Sequence, residues 1–237
     1  MDVMMEKIKL IALVFLILLA SCSTDSDESD DDNFDASVVC PAEGTNAYGM
    51  PNRGTFVDER DGQEYRYTTI GNQVWMAENL RYVAENSKCY DDKPENCEIY
   101  GRMYSLNKDW EDYAAIDTDF AASLCPKGWS LPSITDWDDM VKKMGGYDNG
   151  ETANRLRSSL YWPNATASQE TDACGFSIKP SGICWGRTNC YNLSENTGFW
   201  SSTRASLEYE MQGISYTSNE ISKGGMFYTL PVRCIKN

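Results

Sequence analysis

The chain of 237 residues contains no histidine. That absence removes the Ser-His-Asp triad, the Cys-His pair, the histidine-ligated metal and the histidine pH switch together. Basic residues are scarce, 21 Lys and Arg against 36 Asp and Glu, and the net charge of −15 repels phosphate backbones, so no nucleic-acid partner is expected. No motif implies a cofactor, and the balance of these absences is against an enzyme. Catalysis by carboxylates alone survives, since a glycosidase needs only two of them. What is present, 41% hydrophobic and 24% charged residues, describes an ordinary globular chain able to bury one substantial core.

The N-terminus carries the sharpest local signal. Lys7 and Lys9 precede eleven apolar residues at positions 10–20, followed by Ser21 and Cys22. Eleven are too few to span a bilayer but suit the core of a signal peptide. The small residues before Cys22 resemble a bacterial lipobox, which implies cleavage over residues 1–21 and lipidation of Cys22. Several acyl chains on one cysteine give stable attachment, so the expected membrane partner is reached by an anchor and not by a span. Residues 22–53 are then expected to form the lipidated, acidic tether. Asp25, Asp27, Glu28, Asp30, Asp31, Asp32 and Asp35 place seven carboxylates among its serines, nearly half the net charge. Such a segment repels itself and extends. Acidic residues soon after the lipidated cysteine resemble signals that send lipoproteins to the outer face of the bacterial outer membrane. A spacer on the periplasmic face is the alternative.

Cysteine usage points independently to export. Cys22 aside, eight cysteines remain, at positions 40, 89, 97, 125, 174, 184, 190 and 234. An even number in an oxidising compartment reads as a disulfide framework. Eight permit 105 connectivities. Cys89 and Cys97 are close enough to clip a local loop around Pro94, while the pairing of Cys184 and Cys190 stays open. Zinc is not expected, because no Cys-x-x-Cys pair or histidine is present.

Strand signals dominate residues 54–237. Phe56 and Val57 lead through Asp61-Gly62 into the aromatic and β-branched run from Tyr65 to Ile70, a hairpin pattern. Leu207, Tyr209 and Met211 alternate with polar residues, as do Met226, Tyr228, Leu230, Val232 and Cys234. One helix is clearly written. Ser133 caps it, Asp136 sits in its first turn, Trp137, Met140, Val141 and Met144 follow i, i+3, i+4, i+7 spacing, and Gly145-Gly146 stops it. Weaker helical patterns run over 119–124 and 152–160. The expected class is α+β with few short helices, antiparallel strands and long disulfide-clipped loops.

These residues also form ordered motifs. Asp58-Glu59-Arg60-Asp61-Gly62, Gly71-Asn72-Gln73-Val74-Trp75-Met76-Ala77-Glu78-Asn79-Leu80, Tyr100-Gly101-Arg102-Met103-Tyr104, Cys125-Pro126-Lys127-Gly128-Trp129, Gly175-Phe176-Ser177, Phe199-Trp200-Ser201-Ser202-Thr203 and Val232-Arg233-Cys234 follow one another. Together they resemble the Fibrobacter succinogenes major paralogous domain (FISUMP) over about residues 54–237. The resemblance implies an exported, lipid-anchored domain and implies no activity. The segment from Trp129 to Trp137 also resembles formylglycine-generating enzymes, and Cys-Pro-x-Gly-Trp resembles C-type lectins, which implies a C-type lectin-like fold. That fold's long-range bridge implies a Cys125–Cys234 disulfide, pinning the last strand beside the capped helix. Ser130 departs from the family, which commonly has His or another polar residue there.

No catalytic residue is proposed. The calcium-binding motifs of lectins are missing, leaving Asp148, Asn149 and Glu151 as weak metal candidates that an acidic turn explains equally well. Formylglycine-type oxidation needs a reactive cysteine pair, whereas disulfides can consume all eight. Aromatics outside the strand patterns, Trp110, Tyr113, Tyr161, Trp162, Trp185 and Tyr191, are candidates for stacking on sugar rings, with two or three expected to share one patch. Trp75, Trp129, Trp137 and Trp200 belong to the motifs and are expected in the core. The functional expectation is a non-catalytic binding or adhesion module for polysaccharide or protein, with a carboxylate-dependent carbohydrate-active enzyme and a structural envelope protein as alternatives. Replacing Cys22 by Ser is expected to abolish metabolic labelling with palmitate and to block maturation. Persistent label on that variant contradicts the lipobox.

Overall fold

A computed structural model of the chain describes residues 34–108, 114–163, 168, 171–207 and 211–237. Cys22, most of the acidic segment, Trp110, Tyr113 and Tyr209 lie outside the described residues. The compact unit is Phe34–Asn237, so folded structure begins well before residue 54. Asp35 caps α1 (Ala36–Val39) by accepting from the Ser37 N–H, and Cys40 behind it is bonded to Cys174. The acidic composition before Phe34 gives no sign of this, because what anchors residues 34–53 is long-range: the cystine, the ring of Phe34 under Arg155, and hydrogen bonds from Gly71 to Val39, Thr69 to Asn52 and Tyr48 to Lys236.

The architecture is mixed α and β, with short helices, antiparallel sheets and four disulfides. Strands β1 (Arg53–Val57), β2 (Glu64–Ile70) and β3 (Gln73–Met76) form the expected hairpin and its neighbour. The turn between β1 and β2 spans six residues. Asp58 organises it, accepting from the Arg60 N–H and pairing through both oxygens with the Arg60 guanidinium, which also lies 3.9 Å from the Tyr82 ring centroid. The charged motif at 58–62 is thus a turn device.

Next come β4 (Ser87–Lys88), α2 (Pro94–Tyr100) and β5 (Met103–Tyr104). Proline at the start of α2 suits a helical first position, a signal the periodicity alone misses. Gly101 ends it at φ 80°, and a Cβ there would fall 2.5 Å from that of Asn79. Only glycine meets both demands.

Helix α3 (Thr118–Ser123) leads through Cys125 to β6 (Trp129–Ser130) and α4 (Ile134–Lys143). The sequence reading of α4 holds in detail. Ser133 and Asp136 close a reciprocal capping box, and Trp137, Met140 and Val141 are buried. Trp137 meets Trp75 of β3 at 4.6 Å and Phe199 at 5.4 Å between centroids, and donates its indole N–H to the Trp200 carbonyl. Each such side chain contributes about 1.5–3 kcal/mol by burial. Helix α5 (Gly150–Leu156) stops four residues short of the expected end, because Arg157 turns extended and bridges to Ile178.

The C-terminal half holds β7 (Ile183–Trp185), β8 (Asn189–Tyr191), β9 (Asn196–Arg204), β10 (Met211–Thr217) and β11 (Ile221–Met226). The alternating run from Met226 to Cys234 is not one strand. It breaks into the end of β11 and β12 (Leu230–Pro231) on β5, and β13 (Ile235–Lys236), between β3 and β6, begins only after it. Residues 230–235 are all buried, so alternation there does not separate a wet face from a dry one.

Arg233 lies inside this segment. It donates to the Asn79 side chain at 2.8 Å and to the Phe176 and Ser177 carbonyls, with its guanidinium 4.4 Å from the Phe176 centroid. Burial pulls its pKa down to about 9, which leaves it charged at neutral pH. Cys234 beside it is bonded to Cys125, and Cys89 to Cys97. The first bridge spans 109 residues and the second 8. Loop entropy assigns them about 4–5 and about 2–3 kcal/mol as upper values. Replacing Cys125 and Cys234 by Ala is therefore expected to lower Tm by roughly 10–15 °C, about twice the effect of replacing Cys89 and Cys97. Differential scanning calorimetry giving the reverse order would contradict this ledger.

Candidate functional site

The sequence builds one rigid aromatic surface. In the β7–β8 hairpin, Ile183 faces Tyr191, Cys184 faces Cys190 and Trp185 faces Asn189. Alternation sends the cystine to one side, where Cys184 joins a buried cluster with Tyr90 and Met103. Ile183, Trp185, Asn189 and Tyr191 take the other. Entry to the hairpin needs Gly182, since φ is 69° and a Cβ would fall 2.6 Å from the Tyr191 carbonyl oxygen.

On its outer edge β7 meets Thr229, each backbone N–H of Cys184 and Thr229 donating to the other's carbonyl. This brings Phe227 and Tyr228 beside Trp185. The Trp185 ring meets Phe227 at 5.1 Å and Tyr228 at 5.7 Å, nearly edge-on to both, while Phe227 and Tyr228 stack at 4.6 Å. All three are half-buried, and Tyr191 is 51% exposed. The hairpin turn is held from below. Lys88 donates from its ammonium to the Arg187 carbonyl at 2.6 Å, and the Thr229 hydroxyl donates to the Gly186 carbonyl. Arg187, Thr188, Asn189 and Asn192 supply an exposed polar border. Such a surface offers flat apolar rings with amide and hydroxyl groups alongside, and little conformational entropy remains to be lost on binding.

The other sequence candidates are distributed differently. Trp162 is buried, its indole donating to the Ile178 carbonyl and its ring against Tyr216, so it is a core residue. Its polar neighbourhood in sequence gives no sign of this, because its partners come from a later loop and from β10. Tyr161 is exposed and adopts φ 75°, but its ring contacts Tyr100 and the Lys179 ammonium rather than the hairpin. Trp110 and Tyr113 lie outside the described residues. Trp75, Trp129, Trp137 and Trp200 are buried. Asn149 caps α5 by accepting from the Glu151 N–H, and Glu151 accepts from Asn154, which assigns these two of the weak metal candidates to a helix start. Among the described residues, no group of three potential metal ligands is found. Phe227 and Tyr228 were missed. Phe227, an aromatic at a polar position of the period-two pattern and next to Tyr228, was the available signal.

The described surface has several concavities, among them a small one bordered by Glu78, Glu98, Lys179 and Arg233 and two larger ones. One, of about 620 Å³, lies along Phe56 to Arg60 and Pro126 to Trp129; the second, of about 460 Å³, lies between α3, the start of α4 and the β9–β10 pair. In the first, Asp58 is held by Arg60. In the second, Asp136 accepts from both the backbone N–H and the hydroxyl of Ser133.

Comparison with known proteins places residues 68–236 in the family described as the Fibrobacter succinogenes major domain. No curated protein and no solved structure matches the chain. The burial pattern itself is testable by substitution. Trp162→Ala is expected to cost about 3–5 kcal/mol in urea unfolding and Trp185→Ala about 1–2 kcal/mol. Equal costs would mean that Trp185 is a core residue and not a surface one.

Proposed function

The chain belongs to the Fibrobacter succinogenes major domain family, and we propose that it is a non-catalytic binding module, lipid-anchored through Cys22 at the outer membrane and displayed on the cell surface. Its contact face is the aromatic hairpin, Trp185 with Phe227, Tyr228 and Tyr191, and its ligand is a polysaccharide whose sugar rings stack on those faces. The rigid, half-exposed aromatic group is the observation that carries this reading. A periplasmic orientation of the anchor leaves the same contact face in use.

The fold is taken with this as C-type lectin-like. The long bridge from Cys125 to Cys234 and the late antiparallel sheet β9–β10–β11 support that assignment.

Retention on insoluble polysaccharides tests the reading. Wild-type chain is expected to be held by at least one of them, and Trp185→Ala or Tyr228→Ala to weaken retention by up to about tenfold per ring lost, matching about 0.5–1.5 kcal/mol for an aromatic contact. Leu160→Ala, elsewhere on the surface, serves as control. Retention unchanged in Trp185→Ala removes the hairpin as contact face, and no retention on any polysaccharide removes the sugar ligand.

A further inference from the structure

The 460 Å³ cleft shares no lining residue with the aromatic hairpin and has its own chemistry. Its described lining is Thr118, Ala121 and Ala122 of α3, Ser130 and Leu131, Ser133 and Asp136, Ser202 of β9 and Met211 of β10. The volume falls among small-ligand pockets of about 300–1,000 Å³. Its walls are fixed by bonds that do not involve a ligand. Asp117 caps α3 by accepting from the Phe120 N–H, and its own N–H donates to the Leu106 carbonyl. The Ser202 N–H donates to the Pro132 carbonyl, and the Ile134 N–H donates to the Thr203 hydroxyl, which ties the link before α4 to β9. Leu131, Met211 and Ala121 are buried and make an apolar floor.

Three hydroxyls, those of Thr118, Ser130 and Ser202, border that floor beside the Ser133–Asp136 capping box, whose side chains bond one another. Each hydroxyl both donates and accepts, so the lining matches a ligand whose own groups do both. The described lining holds one negative charge and no positive one, which opposes phosphorylated or carboxylated ligands. The described lining offers a single carboxylate, and no group of three His, Cys, Asp or Glu side chains able to hold a metal ion is found among the described residues. A neutral ring with hydroxyls on its edge and C–H groups on its face satisfies both floor and walls.

We propose that this cleft binds a single neutral sugar ring, free or at the end of a glycan chain, independently of the aromatic hairpin. Ala122 is an exposed helix position, so Ala122→Trp fills the cleft without entering the core. Ser130→Ala with Ser202→Ala removes two wall hydroxyls and leaves the capping box intact.

The test is saturation-transfer NMR and calorimetric titration of the full-length chain in a detergent without a sugar headgroup. Probes are neutral hexoses, pentoses, their disaccharides and hexose 6-phosphates. At least one neutral sugar is expected to bind with a Kd of millimolar or tighter. Ala122→Trp, with Tm as the check of its fold, is expected to weaken that binding by tenfold or more, and the double hydroxyl variant by about tenfold. Binding by monosaccharides equal to that of disaccharides marks a free-sugar site; preference for disaccharides marks a chain end. Trp185→Ala is expected to leave these affinities unchanged, so the cleft and the hairpin can fail separately. The proposal is overturned if no neutral sugar binds, if a hexose phosphate binds more tightly than its parent, or if both cleft variants bind as the wild type does.

Discussion

The buried guanidinium of Arg233 and the cystine next to it hold the end of the chain in the middle of the fold. Arg233 reaches Asn79 and the adjacent Phe176 and Ser177, two places far apart in sequence, and Cys234 is bonded to Cys125. The same few residues complete the sheets. The carbonyls of Val232 and Cys234 accept from the Leu80 and Met76 N–H groups, Leu230 pairs with Tyr104, and Ile235 pairs with both Trp75 and Ser130. A charge taken fully out of water is costly unless its donors are met, and here the Asn79 side-chain oxygen and two carbonyls of the 176–177 loop meet them. Both segments reach their native positions only once the last residues arrive. The pairing is therefore strongly non-local, a topology that folds slowly.

Both surfaces with a proposed role hang from this segment. The aromatic hairpin is joined to Thr229, directly before β12, and Tyr228 and Phe227 are presented by the same residues. The cleft takes one wall from α3, which Cys125 fastens to Cys234, and another from the link after β6, which pairs with β13. Rigidity of the centre is thereby passed to the surface. An unlinked hairpin of three-residue strands would be marginal in water; this one is braced by a cystine, by Lys88 and by Thr229.

Local chemistry was legible wherever a local device sets the structure. The α4 helix was readable from its cap, its first-turn aspartate and its apolar spacing, because all three act within ten residues. The β1–β2 hairpin was readable for the same reason, and the motif tryptophans at 75, 129, 137 and 200 are buried as their setting implied. What escaped depends on distance. The early start of the fold at Phe34 follows from a bridge to Cys174, α5 ends where Arg157 meets Ile178, and the 226–234 alternation is cut into pieces by pairing with β10, β7 and β5 in turn. The aromatic site was half readable. Trp185 and Tyr191 lie in a short loop-like stretch with two cysteines, whereas Phe227 and Tyr228 join them only through Thr229, and Trp162 is withdrawn into the core by Tyr216 and Ile178.

Native-state hydrogen exchange tests the central role of the C-terminal segment most directly. If residues 230–236 hold the fold together, the amides of Met76 and Leu80, which donate to that segment, exchange only through global unfolding, with a free energy equal to that from urea denaturation. Exchange of Met76 and Leu80 through a cheaper local opening, while the amides of the β9–β10–β11 sheet stay protected, would contradict the account.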